Sequence, residues 1–220
     1  MTHTDLAHLT HDTAVSADPI ADDQAWTQEM PALHGPRVTV REVTAADAKA
    51  LYGLLSAEEV SRFISVPPGT AEGFARYVSW ARSQRAAGRY VAMVVVPRGT
   101  DTPIGLFHMR AQERGFRTAD WGFALSSEFW GSGVFREAAE LVLDFAFDVI
   151  GTERVEGRVA RCNPRGNGAL AKLGAEREGV LRRSFHRDGE YLDQVVWAIL
   201  KSEWVARRRL DTFWTCRGVH

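Results

Sequence analysis

The stretch of sequence that decides the fold reads Phe129-Trp130-Gly131-Ser132-Gly133-Val134-Phe135-Arg136-Glu137-Ala138. It joins a predicted strand to the longest predicted helix, whose apolar residues recur at helical spacing as far as residue 150. Its two glycines permit a tight turn and a close approach to a ligand. The first N–H groups of a helix have no internal partner, and the helix dipole favours negative charge there. The stretch therefore predicts an anion cradle suited to a pyrophosphate, with an ordinary flexible turn as the alternative.

Two well-known nucleotide-binding sequences do not match this stretch. No Gly-Lys-Ser/Thr follows the glycines, so it is not a Walker loop. A third glycine is missing and the preceding strands are predicted to be antiparallel, so the stretch is a poor match to a dinucleotide-binding βαβ unit.

The flanking segments predict one domain built on a single sheet. Their order is a strand, two helices, three strands, the long helix, a strand, a short helix and two strands. This order predicts an α/β or α+β fold with one mixed, mostly antiparallel sheet flanked by helices. The expected domain spans residues 32–204, between a polar N-terminal extension at 1–31 and a C-terminal tail at 205–220.

The composition excludes several classes of protein. The chain has 220 residues, of which 45% are hydrophobic and 25% charged, as in an ordinary globular domain. A formal net charge of −1 gives no reason to expect nucleic acid or a membrane surface as partner. Two cysteines argue against a disulfide framework, and no leader or membrane-spanning segment stands out, so we expect a cytoplasmic protein. The sequence gives no reason to expect a metal and is compatible with a homodimer.

From about residue 33 to residue 204, the chain resembles the GNAT acyltransferase superfamily, and within it the RimJ/RimL-like branch of ribosomal-protein N-terminal acetyltransferases. Residues 119–125 resemble the fourth strand of that branch, and Trp130-Gly131-Ser132-Gly133 resembles its coenzyme A pyrophosphate loop. Residues 172–180 resemble its closing motif, and residues 188–193 match a further signature before the last strand.

The resemblance implies an acyl-CoA-dependent N-acyltransferase that moves an acetyl or related acyl group onto a primary amine. Strands 119–125 and 154–160 would splay apart around the pantetheine arm of acetyl-CoA, and an N–H near Leu125 would stabilise the oxyanion. Asn163 would hydrogen-bond the arm, or else merely cap the turn before Pro164. The pantetheine amides would pair with main-chain groups of Phe123, Ala124 and Leu125. The pyrophosphate would be held by Gly131, Ser132, Gly133, Val134, Phe135 and Arg136.

The chain departs from the superfamily pattern at three positions that bear on catalysis. Phe135 stands where a small residue usually closes the loop, Leu170 where many members have an acidic Tyr, and Gly166 where the Rim branch often has Ser. For the general base, Asp120 is the first candidate and Glu128 the second, with a structural or solvated carboxylate as the alternative for each. His108 is a third candidate for the base, with a structural histidine as its alternative.

The acceptor amine must be neutral to attack. An α-amine, with a pKa of about 8, needs a weaker base than lysine, with a pKa of about 10.4. The missing side-chain acid and the uncertain base therefore favour a protein or peptide N-terminus. A small amine, polyamine or antibiotic substrate stays open, as does a non-catalytic acyl-CoA sensor.

Overall fold

The computed structural model describes residues 25–216, with side chains up to residue 210. Eight strands form one sheet in the spatial order β1-β2-β3-β4-β5-β6-β8-β7. All neighbouring strands are antiparallel except β5 and β6. The strands are β1 (Leu33–His34), β2 (Val38–Glu42), β3 (Tyr90–Pro97), β4 (Gly105–Ala111), β5 (Thr118–Leu125), β6 (Arg154–Ala160), β7 (Glu176–Arg187) and β8 (Glu190–Leu200). The predicted mixed, mostly antiparallel sheet is confirmed.

Helices cover both faces of the sheet. The helices are α1 (Ala25–Gln28), α2 (Ala48–Ser56), α3 (Glu58–Ser61), α4 (Ala71–Ala86), α5 (Val134–Asp144), α6 (Pro164–Lys172) and α7 (Lys201–Cys216). The first two long helices begin at side-chain caps: Thr44 and Asp47 form a capping box, and the Thr70 hydroxyl accepts from the Gly73 N–H. Among residues 25–216, no helix has the length and apolar character needed to cross a bilayer.

The core has two halves, one on each face of the sheet. On one face, α5 lays Ala138 and Val142 against Met93 and Phe107. On the other, α2 and α4 pack Leu51 and other apolar side chains against the opposite side of β3 and β4. Because β3 is covered on both sides, its sequence is one continuous apolar run rather than an alternating one.

The long predicted helix is a helix throughout, but its last turn and a half is wider than an α-helix. Residues Phe145–Ile150 form a π-helical segment that continues α5. Gly151, with φ 85°, then ends the helix in the left-handed conformation that glycine adopts without strain.

The ends of the described chain pack closely onto the domain. Trp26 and Met30 precede the boundary expected at residue 31, yet both are buried in the core, with Trp26 edge-on to Phe116 at 5.5 Å. Residues 1–24 of the expected extension lie outside the described residues. Beyond Trp204, α7 continues into the expected tail as far as Cys216, and its Arg207 donates to the main-chain oxygen of Lys172.

Candidate active site

The central strands β5 and β6 separate half-way along their length. They pair in parallel from Thr118 opposite Arg154 to Trp121 opposite Gly157, where the pairing ends. Both strands continue beyond that point, β5 to Leu125 and β6 to Ala160. The second half of β5 therefore has a free edge that faces a gap in the sheet.

The register of β4 and β5 determines which main-chain groups face that gap. The main-chain N–H of Gln112 donates to the Thr118 carbonyl, and that of Ser126 donates to the Ile104 carbonyl. Alternate residues of β5, including Ala124, therefore direct their main-chain groups to β4. Phe123 and Leu125 direct theirs into the gap. The Leu125 carbonyl accepts from the Trp130 indole at 2.9 Å, which leaves the Leu125 N–H facing the gap.

The expected pantetheine contacts therefore need a correction at Ala124. Its carbonyl lies 2.9 Å from where a Cβ would stand on Gly105 of β4, in agreement with the register. Main-chain pairing with β4 removes this residue from the set that could bind a ligand in the gap. Ala124 contributes its methyl group to the wall of a cavity instead.

The loop before α5 presents main-chain N–H groups at one end of the gap. Gly131 and Gly133 adopt φ values of 77° and 84°, which explains the need for glycine at both positions. Within the described residues, the N–H groups of Gly131, Gly133 and Phe135 have no hydrogen-bond partner, and the Val134 N–H donates to the Ser132 hydroxyl at 3.3 Å. The loop is therefore built as an anion cradle.

An arginine missed by the sequence interpretation lies beside this loop. The Arg37 guanidinium donates to the Ser132 carbonyl at 2.8 Å and to the Glu137 carboxylate at 2.7 Å, and it passes close to Gly133. Glu137 also accepts from the main-chain N–H groups of Arg37 and Val38. Burial alone would raise the pKa of Glu137, but these hydrogen bonds and the Arg37 charge together lower it. The arrangement fixes the guanidinium beside the loop as one half of an ion pair with Glu137.

Asn163 caps α6 at the far side of the gap. Its side-chain oxygen accepts from the Gly166 N–H at 3.0 Å. A Cβ at position 166 would lie 2.8 Å from the Asn163 amide nitrogen, so glycine there makes room for the amide. The amide nitrogen has no hydrogen-bond partner among the described residues and lies in the cavity wall. The cap and a ligand contact are therefore compatible.

A cavity of about 340 Å³ lies where the gap meets the face covered by α2 and α4. Asp120, the first candidate base, is in its wall. Both Asp120 oxygens accept from Arg110, directly opposite on β4, at 3.0 and 3.2 Å. Glu128, the second candidate, is exposed on the turn Ser127–Phe129 and is not part of the wall. The structure thus separates the two candidate carboxylates.

Comparison with known proteins identifies the family of the chain. The model of the acetyltransferase (GNAT) domain matches residues 37–176. The chain belongs to the GNAT acetyltransferase family. Its relatives include the uncharacterized N-acetyltransferase YoaA of Bacillus subtilis, 28% identical over 78% of this chain and 97% of that protein.

Solved structures resemble this GNAT domain over most of its length. A T. thermophilus protein described as an acetyltransferase is 31% identical, with a TM-score of 0.67 over 82% of this chain and 95% of that one. Mycobacterium smegmatis RimJ, in complex with CoA-disulfide, is 23% identical, with a TM-score of 0.68 over 78% of this chain and 90% of that one. At that identity, the second likeness concerns the fold alone.

His108 lies on β4, beside the point where β5 and β6 separate. It lies opposite Gly122, directly after the last β5–β6 pair, and its ring occupies the space where a Cβ of residue 122 would stand. The ring also stacks on Tyr90, with 5.6 Å between the ring centroids. Desolvation lowers the pKa of His108; the Arg110 charge acts in the same direction, and the Asp120 charge opposes it. Neither ring nitrogen has a hydrogen-bond partner among the described residues.

Two tyrosines form the polar floor of the cavity. The hydroxyls of Tyr77 and Tyr90 hydrogen-bond each other at 3.0 Å. Desolvation raises the pKa of Tyr77 to about 12 and raises that of Tyr90 as well. Both phenols are therefore neutral near pH 7.

Two of the departures from the family pattern have packing explanations. The Phe135 ring lies 4.7 Å from Phe123 and 5.8 Å from Phe107, so it fills the core on the α5 face. Leu170 is fully buried, and its Cδ1 lies 3.1 Å from where a Cβ would stand on Gly157. An aliphatic group therefore occupies the position of the usual acid. Among the side chains that the structure describes, no cluster of His, Cys, Asp and Glu could hold a metal ion.

Proposed function

We propose that this GNAT protein transfers an acetyl or related acyl group from acyl-CoA to the α-amine of a protein or peptide, as the RimJ/RimL-like branch does. One observation carries the proposal: a single gap in the sheet connects a cradle of unpaired N–H groups to a cavity containing a neutral imidazole.

The residues present fit coenzyme A. Three main-chain N–H groups that have no hydrogen-bond partner among the described residues lie next to the Arg37 guanidinium and suit a diphosphate. Gly131, Ser132, Gly133, Val134, Phe135 and Arg136 would hold that group. The free edge at Phe123 would pair with the pantetheine amides, as an added strand pairs with a sheet, and Asn163 would donate its amide to the same arm. When bound, the thioester supplies the activated acyl group. The Leu125 N–H faces the gap, where it would stabilise the developing oxyanion.

For the general base we propose His108 in place of Asp120 and Glu128. Its imidazole lies in the cavity wall beside the separation point and is neutral near pH 7, because desolvation lowers its pKa. Both oxygens of Asp120 accept hydrogen bonds from Arg110, so neither is free to receive the proton of the acceptor amine. Glu128 lies outside the cavity wall.

The weakness of this base supports an α-amine as the acceptor. An imidazole with a lowered pKa suits an amine of pKa about 8 better than a lysine of pKa about 10.4. The buried Leu170 supplies no proton to the leaving thiolate.

The experiment has two stages. Isothermal titration with acetyl-CoA measures binding, and release of free thiol with peptides measures transfer. Peptides with a free N-terminus should be acylated faster than N-acetylated peptides that contain lysine. No affinity for acetyl-CoA would refute the transferase function. Binding of acetyl-CoA without release of its thiol in the presence of any amine would support a non-catalytic acyl-CoA sensor instead. Faster acylation of lysine would contradict the α-amine assignment.

A further inference from the structure

We infer that the acceptor cavity selects an amine carried on a bulky, uncharged, apolar group, so that the first residue of the acceptor peptide is of the Phe or Leu type. This inference rests on the proposed function, because it names the substrate class of the same site.

The wall of the cavity is mostly apolar. Leu55 from α2, Phe74 from α4 and Leu106 from β4 line it, and Phe63 and Ile64 close it from the loop between α3 and α4. A volume of about 340 Å³ is near the lower limit for small-molecule sites, which suits one large side chain rather than an extended molecule. Burying an apolar side chain against such a wall stabilises the complex through the hydrophobic effect.

The carboxylate and the two tyrosine hydroxyls of the wall are already paired within the wall. Among the described residues that line the cavity, Asp120 is the one carboxylate, and both of its oxygens accept from Arg110. The hydroxyls of Tyr77 and Tyr90 bond each other and stay neutral. A second ammonium group on the acceptor would therefore enter without a counter-charge, at a substantial desolvation cost. An acidic first residue would be desolvated against a mostly apolar wall, whose two arginines already pair with Asp120 and Glu156.

The charge distribution therefore argues against a polyamine or an aminoglycoside. Such substrates carry several ammonium groups, and a site that binds them needs carboxylates free to pair with them. Here Arg110 already compensates the Asp120 charge, and Arg158, which also lines the cavity, adds positive charge while its Nε donates to Glu156.

A panel of tetrapeptide amides tests the inference. The sequence is X-Ala-Ser-Gly, where X is Phe, Leu, Ser, Asp or Arg, and kcat/KM is measured from thiol release at saturating acetyl-CoA, with spermidine as a further acceptor. We expect Phe and Leu to exceed Ser, Asp and Arg by about tenfold or more, since hydrophobic pockets discriminate on that scale. Equal or better transfer to Arg, Asp, Ser or spermidine would overturn the inference while leaving acyl transfer intact. Transfer to no peptide at all would refute the proposed function itself.

A charge placed in the wall provides a second, independent measurement. Ile64→Glu adds a carboxylate at the loop, so the ratio of kcat/KM for the Arg peptide over the Phe peptide should rise by about tenfold or more. The matched control is Val149→Glu, a similar change at an exposed residue outside the cavity wall, which should leave the ratio unchanged. An unchanged ratio in Ile64→Glu would count against an apolar acceptor site. A ratio does not depend on the fraction of folded enzyme, so lower stability of the variant does not obscure the result.

Discussion

Replacing Gly122 with alanine tests whether the position of the His108 ring controls the reaction. The added Cβ would lie 2.7 Å from Nε2 of His108 and closer still to Cε1, whereas ordinary contact begins at 3.4 Å. The ring must therefore retreat by about 1 Å, although it is stacked against Tyr90. Displacement of a catalytic group by about 1 Å costs about 10²-fold in rate, and overpacking costs about 1–3 kcal/mol of stability.

The assay for Gly122→Ala is thiol release at fixed acetyl-CoA, together with urea unfolding. We expect kcat to fall by about 10²-fold with little change in the KM for acetyl-CoA. Gly53→Ala is the matched control, because nothing lies within 4 Å of its added Cβ on the exposed side of α2. In the double variant Gly122→Ala/His108→Ala the clash disappears, so stability should recover while activity stays low. A Gly122→Ala variant with wild-type kcat would refute the role of the ring.

Three further predictions concern the base, the loop and the N-terminal segment. His108→Ala should lower kcat/KM by about 10²-fold, and should remove the loss of activity that we expect in wild type as pH falls through the lowered pKa of the ring and the imidazole takes up a proton; pH profiles of both proteins check this. Glu137→Gln should weaken acetyl-CoA binding, because Arg37 loses its carboxylate partner. It should also lower the free energy of unfolding by about 1–3 kcal/mol near pH 7. Because the pKa of Glu137 is lowered in the folded state, that stabilisation is present above about pH 4.5 and is lost as pH falls through the folded pKa. The free energies of unfolding of wild type and variant, measured by urea titration, should therefore converge in acid. Trp26→Ala should lower the free energy of unfolding by about 3–5 kcal/mol, because its side chain is almost fully buried. A loss below about 1 kcal/mol in thermal unfolding would show that residues 25–30 do not belong to the folded domain.

The features that could be predicted from the sequence are those encoded in neighbouring residues. The glycines at 131 and 133, the helical spacing after them and the caps at Thr44 and Thr70 act within a few residues, and the structure contains each of them. The separation of β5 and β6 was expected from the family resemblance rather than from any local pattern.

The features that could not be predicted depend on contacts between distant residues. Arg37 reaches Glu137 across 100 positions, and no local spacing relates the two. The correction at Ala124 has a similar origin. Alternation shows that neighbouring residues of a strand direct their main-chain groups to opposite sides, but the partner register decides which residue faces which side. The burial of Trp26 was missed because its neighbours are polar and show no periodicity.

The alternation of β5 assigns different parts of the site to its odd and even residues. Trp121, Phe123 and Leu125 pack their side chains onto the α5 face; the main chain of Trp121 faces β6, and that of Phe123 and Leu125 faces the gap. Gly122 and Ala124 pair their main chain with β4 and face the cavity on the opposite side of the sheet. One strand can therefore serve a coenzyme through main-chain atoms, whose chemistry is independent of side-chain identity, and an acceptor through side chains. This division explains why the family resemblance is specific for the coenzyme, whereas the acceptor has to be inferred from the cavity wall of this chain.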